Sequence, residues 1–130
     1  MDKLILHISI IGCESVRGQA KQINFITFDG YADGGLFEGK ISPAGTDVQE
    51  YTGGAGKLCA RYMLTGHDYT GKPCRIYIEN KAATGSSDTK PEIVTDSEAL
   101  VFLETAALRG RLFSEGDKLT IEISCEGKKQ

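Results

Sequence analysis

LCARYMLTGHDYTGKPCRIYIENK, residues 58–81, holds two alternating runs separated by turn-forming residues. Leu58, Ala60, Tyr62 and Leu64 alternate with Cys59, Arg61, Met63 and Thr65, and Ile76 and Ile78 alternate with Arg75, Tyr77 and Glu79. A period of two marks a strand with one buried face. HDYTGKPC (67–74) supplies the turn, so the runs form an antiparallel hairpin. Pairing Leu64 with Ile76, Tyr62 with Ile78 and Ala60 with Asn80 gives one apolar face. The other face then carries Arg61 opposite Glu79 and Cys59 opposite Lys81. A slip of one residue would set Leu64 against Arg75 and mix the faces. The favoured register leaves Tyr62 and Asn80 as polar tips on an inward, otherwise apolar face. Such groups need a partner, whether backbone, water or a ligand.

Upstream, EYTGGAGKLCARY (50–62) has the glycines and lysine of a phosphate-binding loop. Tyr51 stands where the first glycine of that motif belongs, and Leu58 follows the lysine in place of serine or threonine. A strand follows rather than the helix whose amides would meet the phosphate. The stretch therefore reads as a turn between strands.

Further strands are expected over Lys3–Ile11, Ile23–Phe28, Leu36–Ser42 and Leu119–Cys125, with turns at Asp33-Gly34-Gly35, Pro43-Ala44-Gly45, Thr52-Gly53-Gly54 and Glu115-Gly116-Asp117. ATGSSDTKP (83–91) reads as an exposed loop. TDSEALVFLETAAL (95–108) is ambiguous. Thr95 and Glu98 fit a capping box, and Leu100, Leu103 and Ala107 share a helical face. Val101-Phe102-Leu103 with Thr105 suits a strand equally well. Many short antiparallel strands remove their edges most completely by closing into a barrel, with an open sandwich as the rival. An all-β single domain over residues 1–130 is expected.

At 130 residues and 14.0 kDa the chain is long enough for one core. Its net charge of −3, with a basic cluster only at Lys128-Lys129, argues against a nucleic-acid partner. His7 and Ser9 interrupt the apolar N-terminal run, which reads as a first strand and not as a secretory signal. No window approaches a membrane span, so no membrane partner is expected. Cys13, Cys59, Cys74 and Cys125 form no CxxC pair. They are expected as reduced thiols in the cytoplasm, with one disulfide pair left open. His7 and His67 lack ligand spacing, so neither metal nor cofactor is expected.

GLFEGKISPAGTDVQ (35–49), LCARYML (58–64) and RIYIENKA (75–82) together resemble a family of mostly bacterial proteins, a domain of unknown function. Its barrel is lipocalin-like and similar to allene oxide cyclase. Gly39, Pro43, Gly45 and Asp47, with Gln49 following, match its glycine–turn–aspartate pattern. Cys59-Ala60-Arg61-Tyr62 and Asn80-Lys81-Ala82 match two further stretches, with Cys59 where aspartate is usual and Ala82 where glycine is. Leu103-Glu104-Thr105 matches a phenylalanine-glutamate-threonine step. The resemblance implies a single antiparallel barrel of about eight strands with little helix. It also implies a strand over Val101–Thr105, and it supplies no activity.

The candidate ligand-binding residues are Tyr62, Asn80, Glu104 and Asp47, with Arg61 less central; Glu104 is the candidate catalytic acid. Glu104 shares parity with Phe102, which would turn both inward. A few polar groups in an apolar lumen can orient a small molecule. A buried carboxyl can also do acid–base work. Three readings stand: a barrel binding a small, largely apolar metabolite; a cofactor-independent isomerase, cyclase or lyase using Glu104 and Tyr62; or a filled barrel acting as an oligomeric or interaction module. The first ranks ahead. A small-molecule ligand and a homo-oligomer are the partners left open.

Overall fold

The computed structural model describes residues 3–116 and 118–125. Asp117 of the expected turn and the Lys128-Lys129 cluster lie outside the described residues. Nine strands run β1 (Leu4–Arg17), β2 (Gln22–Asp33), β3 (Phe37–Ile41), β4 (Gly45–Thr52), β5 (Ala55–Asp68), β6 (Pro73–Ala83), β7 (Asp88–Thr95), β8 (Leu108–Glu115) and β9 (Lys118–Cys125). Every pairing between them is antiparallel. β3 and β4 each lie between β2 and β5, at opposite ends of one wall position. Counted so, eight wall positions close from β1 to β9 into an up-and-down barrel. The seam is narrowest between β7 and β8, which pair only at Asp88–Arg111 and Thr89–Gly110.

The β5–β6 hairpin has the expected register, with Leu64 opposite Ile76, Tyr62 opposite Ile78, Ala60 opposite Asn80 and Arg61 opposite Glu79. Thr52 pairs with Ala55 across Gly53 (φ 58°) and Gly54 (φ 88°), both left-handed, as a two-residue hairpin turn requires. The glycine-rich stretch is thus a turn.

A bulge in β1 changes what faces inward. Ile10 pairs with Phe28 and Gly12 with Thr27, leaving Ile11 as the extra residue. Leu4, Leu6, Ile8 and Ile10 face the interior before the bulge. After it Cys13, Ser15 and Arg17 share the face of Ile26, Asn24 and Gln22, their pairing partners.

The two barrel ends differ. At the end where β5 and β7 finish, the connection 96–107 carries Leu100 and Leu103 into the core beside Leu4, Phe37, Leu64, Ile76 and Ile123. Burying each such side chain contributes roughly 1.5–3 kcal/mol. Ser97 fastens the plug: its hydroxyl donates to Asp68 Oδ2 at 2.7 Å and accepts from the Leu100 N–H at 3.2 Å. At the other end the connections 18–21, 53–54, 84–87 and 116–117 are all short.

Three expectations need correction. Val101–Thr105 is not a strand. Val101–Glu104 forms a single 3₁₀ turn, in which Leu100 and Leu103 point inward three residues apart and Phe102 turns out, 43% exposed. Residues 88–91 of the expected loop belong to β7. Pro91 is tolerated there because the β7–β8 pairing involves only Asp88 and Thr89, so its missing N–H costs no bond to β8. β4 and β8 had no strand assigned to them, and both complete the wall.

Candidate functional site

Asp47, Ala60, Asn80 and Pro91 occupy one register row across β4, β5, β6 and β7, continued by Ile26 on β2. Because side chains on a row share a face, this row places a carboxyl and an amide on the inner wall. The adjoining inward positions supply Phe28 and Tyr62, whose rings meet edge to face at 5.4 Å between centroids. Gly45 makes that approach possible. A Cβ there would stand 2.4 Å from the Phe28 ring and 2.9 Å from Tyr62 Cβ.

These residues enclose a cavity of about 160 Å³, lined on its apolar sides by Ile8, Ile26, Phe28, Leu112, Leu119 and Ile121. Four buried polar atoms on its walls have no hydrogen-bond partner within the protein: Asp47 Oδ1, Tyr62 Oη, Asn80 Oδ1 and Thr89 Oγ1. Tyr62, Asn80 and Thr89 are 3%, 2% and 3% exposed. Unpaired buried polar atoms are rare, and here four of the five among the described side chains converge on one space.

The carboxyl of Asp47 is held from one side only. Tyr51 donates its hydroxyl to Gln49 Oε1 at 3.3 Å, which turns Gln49 Nε2 toward Asp47 Oδ2, also at 3.3 Å. Burial pushes the Asp47 carboxyl above its ordinary range, and the Gln49 bond offsets part of that rise. Burial raises the Tyr62 phenol far above its usual value, keeping it a neutral donor. Arg17, at the end of β1, donates to Gln22 Oε1 at 2.9 Å. Among the described residues, no lysine, arginine or histidine lines the cavity.

The sequence candidates separate into two groups. Tyr62, Asn80 and Asp47 meet in the lumen. Arg61 does not: it projects from the outer wall, 3.6 Å from Glu79, in an exposed pair worth ~0–1 kcal/mol. Glu104 is also outside, contrary to its expected inward position. It lies exposed at the plugged end, where Oε2 accepts the Thr95 N–H at 3.0 Å. The 3₁₀ turn breaks the strand parity that would have turned it inward.

Cys59 is on the outer face opposite Lys81, and burial raises its thiol, so it offers no lumen nucleophile. Thr89 is not singled out by the sequence, and Gln49 is named there only as the residue following Asp47 in its motif, not as part of the site. Thr89 sat in an apparent loop, and the inward polar series Asp47, Gln49, Tyr51 inverts the pattern by which a strand is recognised.

A larger concavity, about 1030 Å³, lies over the outer wall and rim around Val48, Lys57, Arg61 and Lys81. Of the cations lining it, Lys57 is paired with Glu50, and Arg61 and Lys81 with Glu79; Lys90 lines it as well. It is a solvent groove; the convergent unpaired atoms are inside the barrel.

No family model matches the sequence, and no curated protein matches it. Solved structures do share the fold. A Clostridium acetobutylicum protein of unknown function is 20% identical with a TM-score of 0.76, over 92% of this chain and 91% of that one. A β-barrel-like protein from Acinetobacter baumannii is 16% identical with a TM-score of 0.76, over 92% and 90%. An enzyme from Penicillium herquei is 16% identical with a TM-score of 0.69, over 93% and 92%. The class defined by fold and lumen is a small closed β-barrel, shared with proteins of unknown function.

Proposed function

We propose that the barrel binds a small, neutral, largely apolar molecule in its lumen. The observation that carries this reading is the convergence of Asp47 Oδ1, Tyr62 Oη, Asn80 Oδ1 and Thr89 Oγ1, all without protein partners, on one cavity of about 160 Å³. A fold that needed only a packed core would place apolar side chains there, because an unsatisfied buried polar group costs ~1–3 kcal/mol. A filled, purely structural barrel is the poorer reading for that reason.

The cavity limits the ligand. A space near 150 Å³ holds a benzene-sized molecule, so the lumen takes on the order of six to ten non-hydrogen atoms. The carboxyl of Asp47, with no cation beside it among the described residues lining the lumen, disfavours an anionic ligand. The amide oxygen of Asn80 and the Asp47 carboxylate ask for a donor; the Tyr62 and Thr89 hydroxyls serve either role. A small alcohol or phenol answers the two acceptors, and a small ketone answers the two hydroxyls.

The lipocalin-like, allene oxide cyclase-like kinship implied by the sequence is part of this proposal, since such barrels carry small molecules in their interiors. So is a cytoplasmic location, for which the free thiols of Cys13, Cys59, Cys74 and Cys125 speak. No helix among the described residues is long and apolar enough to cross a membrane.

Native mass spectrometry of freshly purified protein, followed by denatured extraction, tests the binding reading. One small neutral compound per chain, released on denaturation, is the expected result. Released compounds that are anionic, or far larger than ten heavy atoms, would contradict it.

A further inference from the structure

Asp47 has the geometry of a reactive carboxyl. Gln49 Nε2 holds Oδ2 at 3.3 Å, and the Tyr51 hydroxyl fixes which way that amide faces. Oδ1 is buried and unpartnered on the cavity side. Asp47 is the one carboxylate among the described residues that line the cavity. A structural aspartate would have its second oxygen satisfied, as Asp68 does with Thr70, Lys72 and Ser97. Two hydroxyls, those of Tyr62 and Thr89, are also unpartnered on the same space.

We propose that the lumen catalyses proton transfer on a small, neutral, enolisable carbonyl compound, with Asp47 Oδ1 as the base. This inference rests on the lumen being a ligand site and adds a reaction to it. The Tyr62 and Thr89 hydroxyls donate to the substrate carbonyl oxygen. Asp47 Oδ1 takes the proton from the adjacent carbon. That C–H bond breaks, its electron pair becomes the C=C bond of the enolate, and the carbonyl π pair moves onto oxygen. Return of the proton to carbon, at the original or a conjugated position, regenerates the carboxylate. The step has no net redox change and needs no co-reactant.

Charge bookkeeping favours this assignment. One negative charge moves from Asp47 to the carbonyl oxygen, so the lumen never gains a second charge and needs no cation. Hydroxyls preorganised in a water-poor space are the donors suited to such an oxyanion. Burial also raises the proton affinity of Asp47, bringing it nearer to that of a useful base.

Cyclohexanone, with seven non-hydrogen atoms, is a suitable probe. Its α-hydrogen exchange in D₂O is followed by ¹H NMR with the full chain, with Asp47→Asn and with Glu104→Gln. Ketone binding is read from backbone amide shifts in parallel samples in H₂O. The wild-type protein and Glu104→Gln should exchange the α-hydrogens equally, and Asp47→Asn about 10²-fold more slowly. Exchange by Asp47→Asn at the wild-type rate would overturn the proposal. So would a wild-type rate no faster than the same concentration of acetate. Binding at the lumen amides without exchange would end the proton-transfer inference and leave the binding reading standing. Absence of both binding and exchange would end both. The Asn variant keeps the shape of the side chain, and its amide spectrum reports whether the barrel has folded.

Discussion

Asp47 and Asn80 stand on one register row of the barrel wall with Ala60 between them, and each presents to the lumen an oxygen that no protein group satisfies. The small residue between them keeps the space open. Held apart across a methyl side chain, the two groups make no mutual hydrogen bond.

Tyr62 is the simplest place to separate ligand binding from folding. Its hydroxyl is buried and unpartnered, so Tyr62→Phe should leave stability unchanged or raise it by about 1 kcal/mol in urea denaturation. The same substitution should weaken binding of a hydrogen-bonding ligand roughly tenfold, the worth of one hydrogen bond. A clear loss of stability would mean that the hydroxyl has a structural partner.

Gly45 is a tight packing point of the site. Gly45→Ala would drive a methyl group to 2.4 Å from the Phe28 ring. Overpacking of this kind costs about 1–3 kcal/mol, and the denaturation midpoint should fall accordingly. An unchanged midpoint would show that the Phe28–Tyr62 pair can move aside.

Asp68 controls the acid limit of the fold. The Thr70 hydroxyl at 2.6 Å, the Ser97 hydroxyl at 2.7 Å and the backbone N–H groups of Thr70 and Lys72 hold its carboxyl at about 2. An aspartate in the unfolded chain titrates near ~3.9, so the unfolded state binds the proton first as pH falls. The Asp68 contribution is therefore complete above roughly pH 4 and declines as pH drops toward 2. Melting temperature measured across that window should fall less steeply for Asp68→Asn than for the wild type. Parallel slopes would remove Asp68 as the source.

The β5–β6 hairpin was legible in the sequence because its alternation is clean and its ion pair and apolar face agree on one register. That register alone put Tyr62 and Asn80 inside. The plug was not legible. Leu100 and Leu103 are buried by closing one barrel end, a tertiary role that local pattern does not encode, and Glu104 was misplaced with them. β4 was hidden by its composition, since Asp47, Gln49 and Tyr51 put polar groups where a wall strand ordinarily puts apolar ones. Thr89 was hidden by the polar residues just before it, which read as continuous loop.

An ¹H–¹⁵N amide titration with phenol, benzene and benzoate, on the wild type and on Ala60→Leu, tests the lumen most directly. Phenol should bind best, benzene more weakly and benzoate least, with shifts centred on Asp47, Ala60, Tyr62, Asn80 and Thr89. Ala60→Leu should remove them by filling the space between Asp47 and Asn80. Equal binding of benzoate and phenol, shifts confined to the outer groove, or shifts that persist in Ala60→Leu would contradict a lumen built for a small neutral ligand.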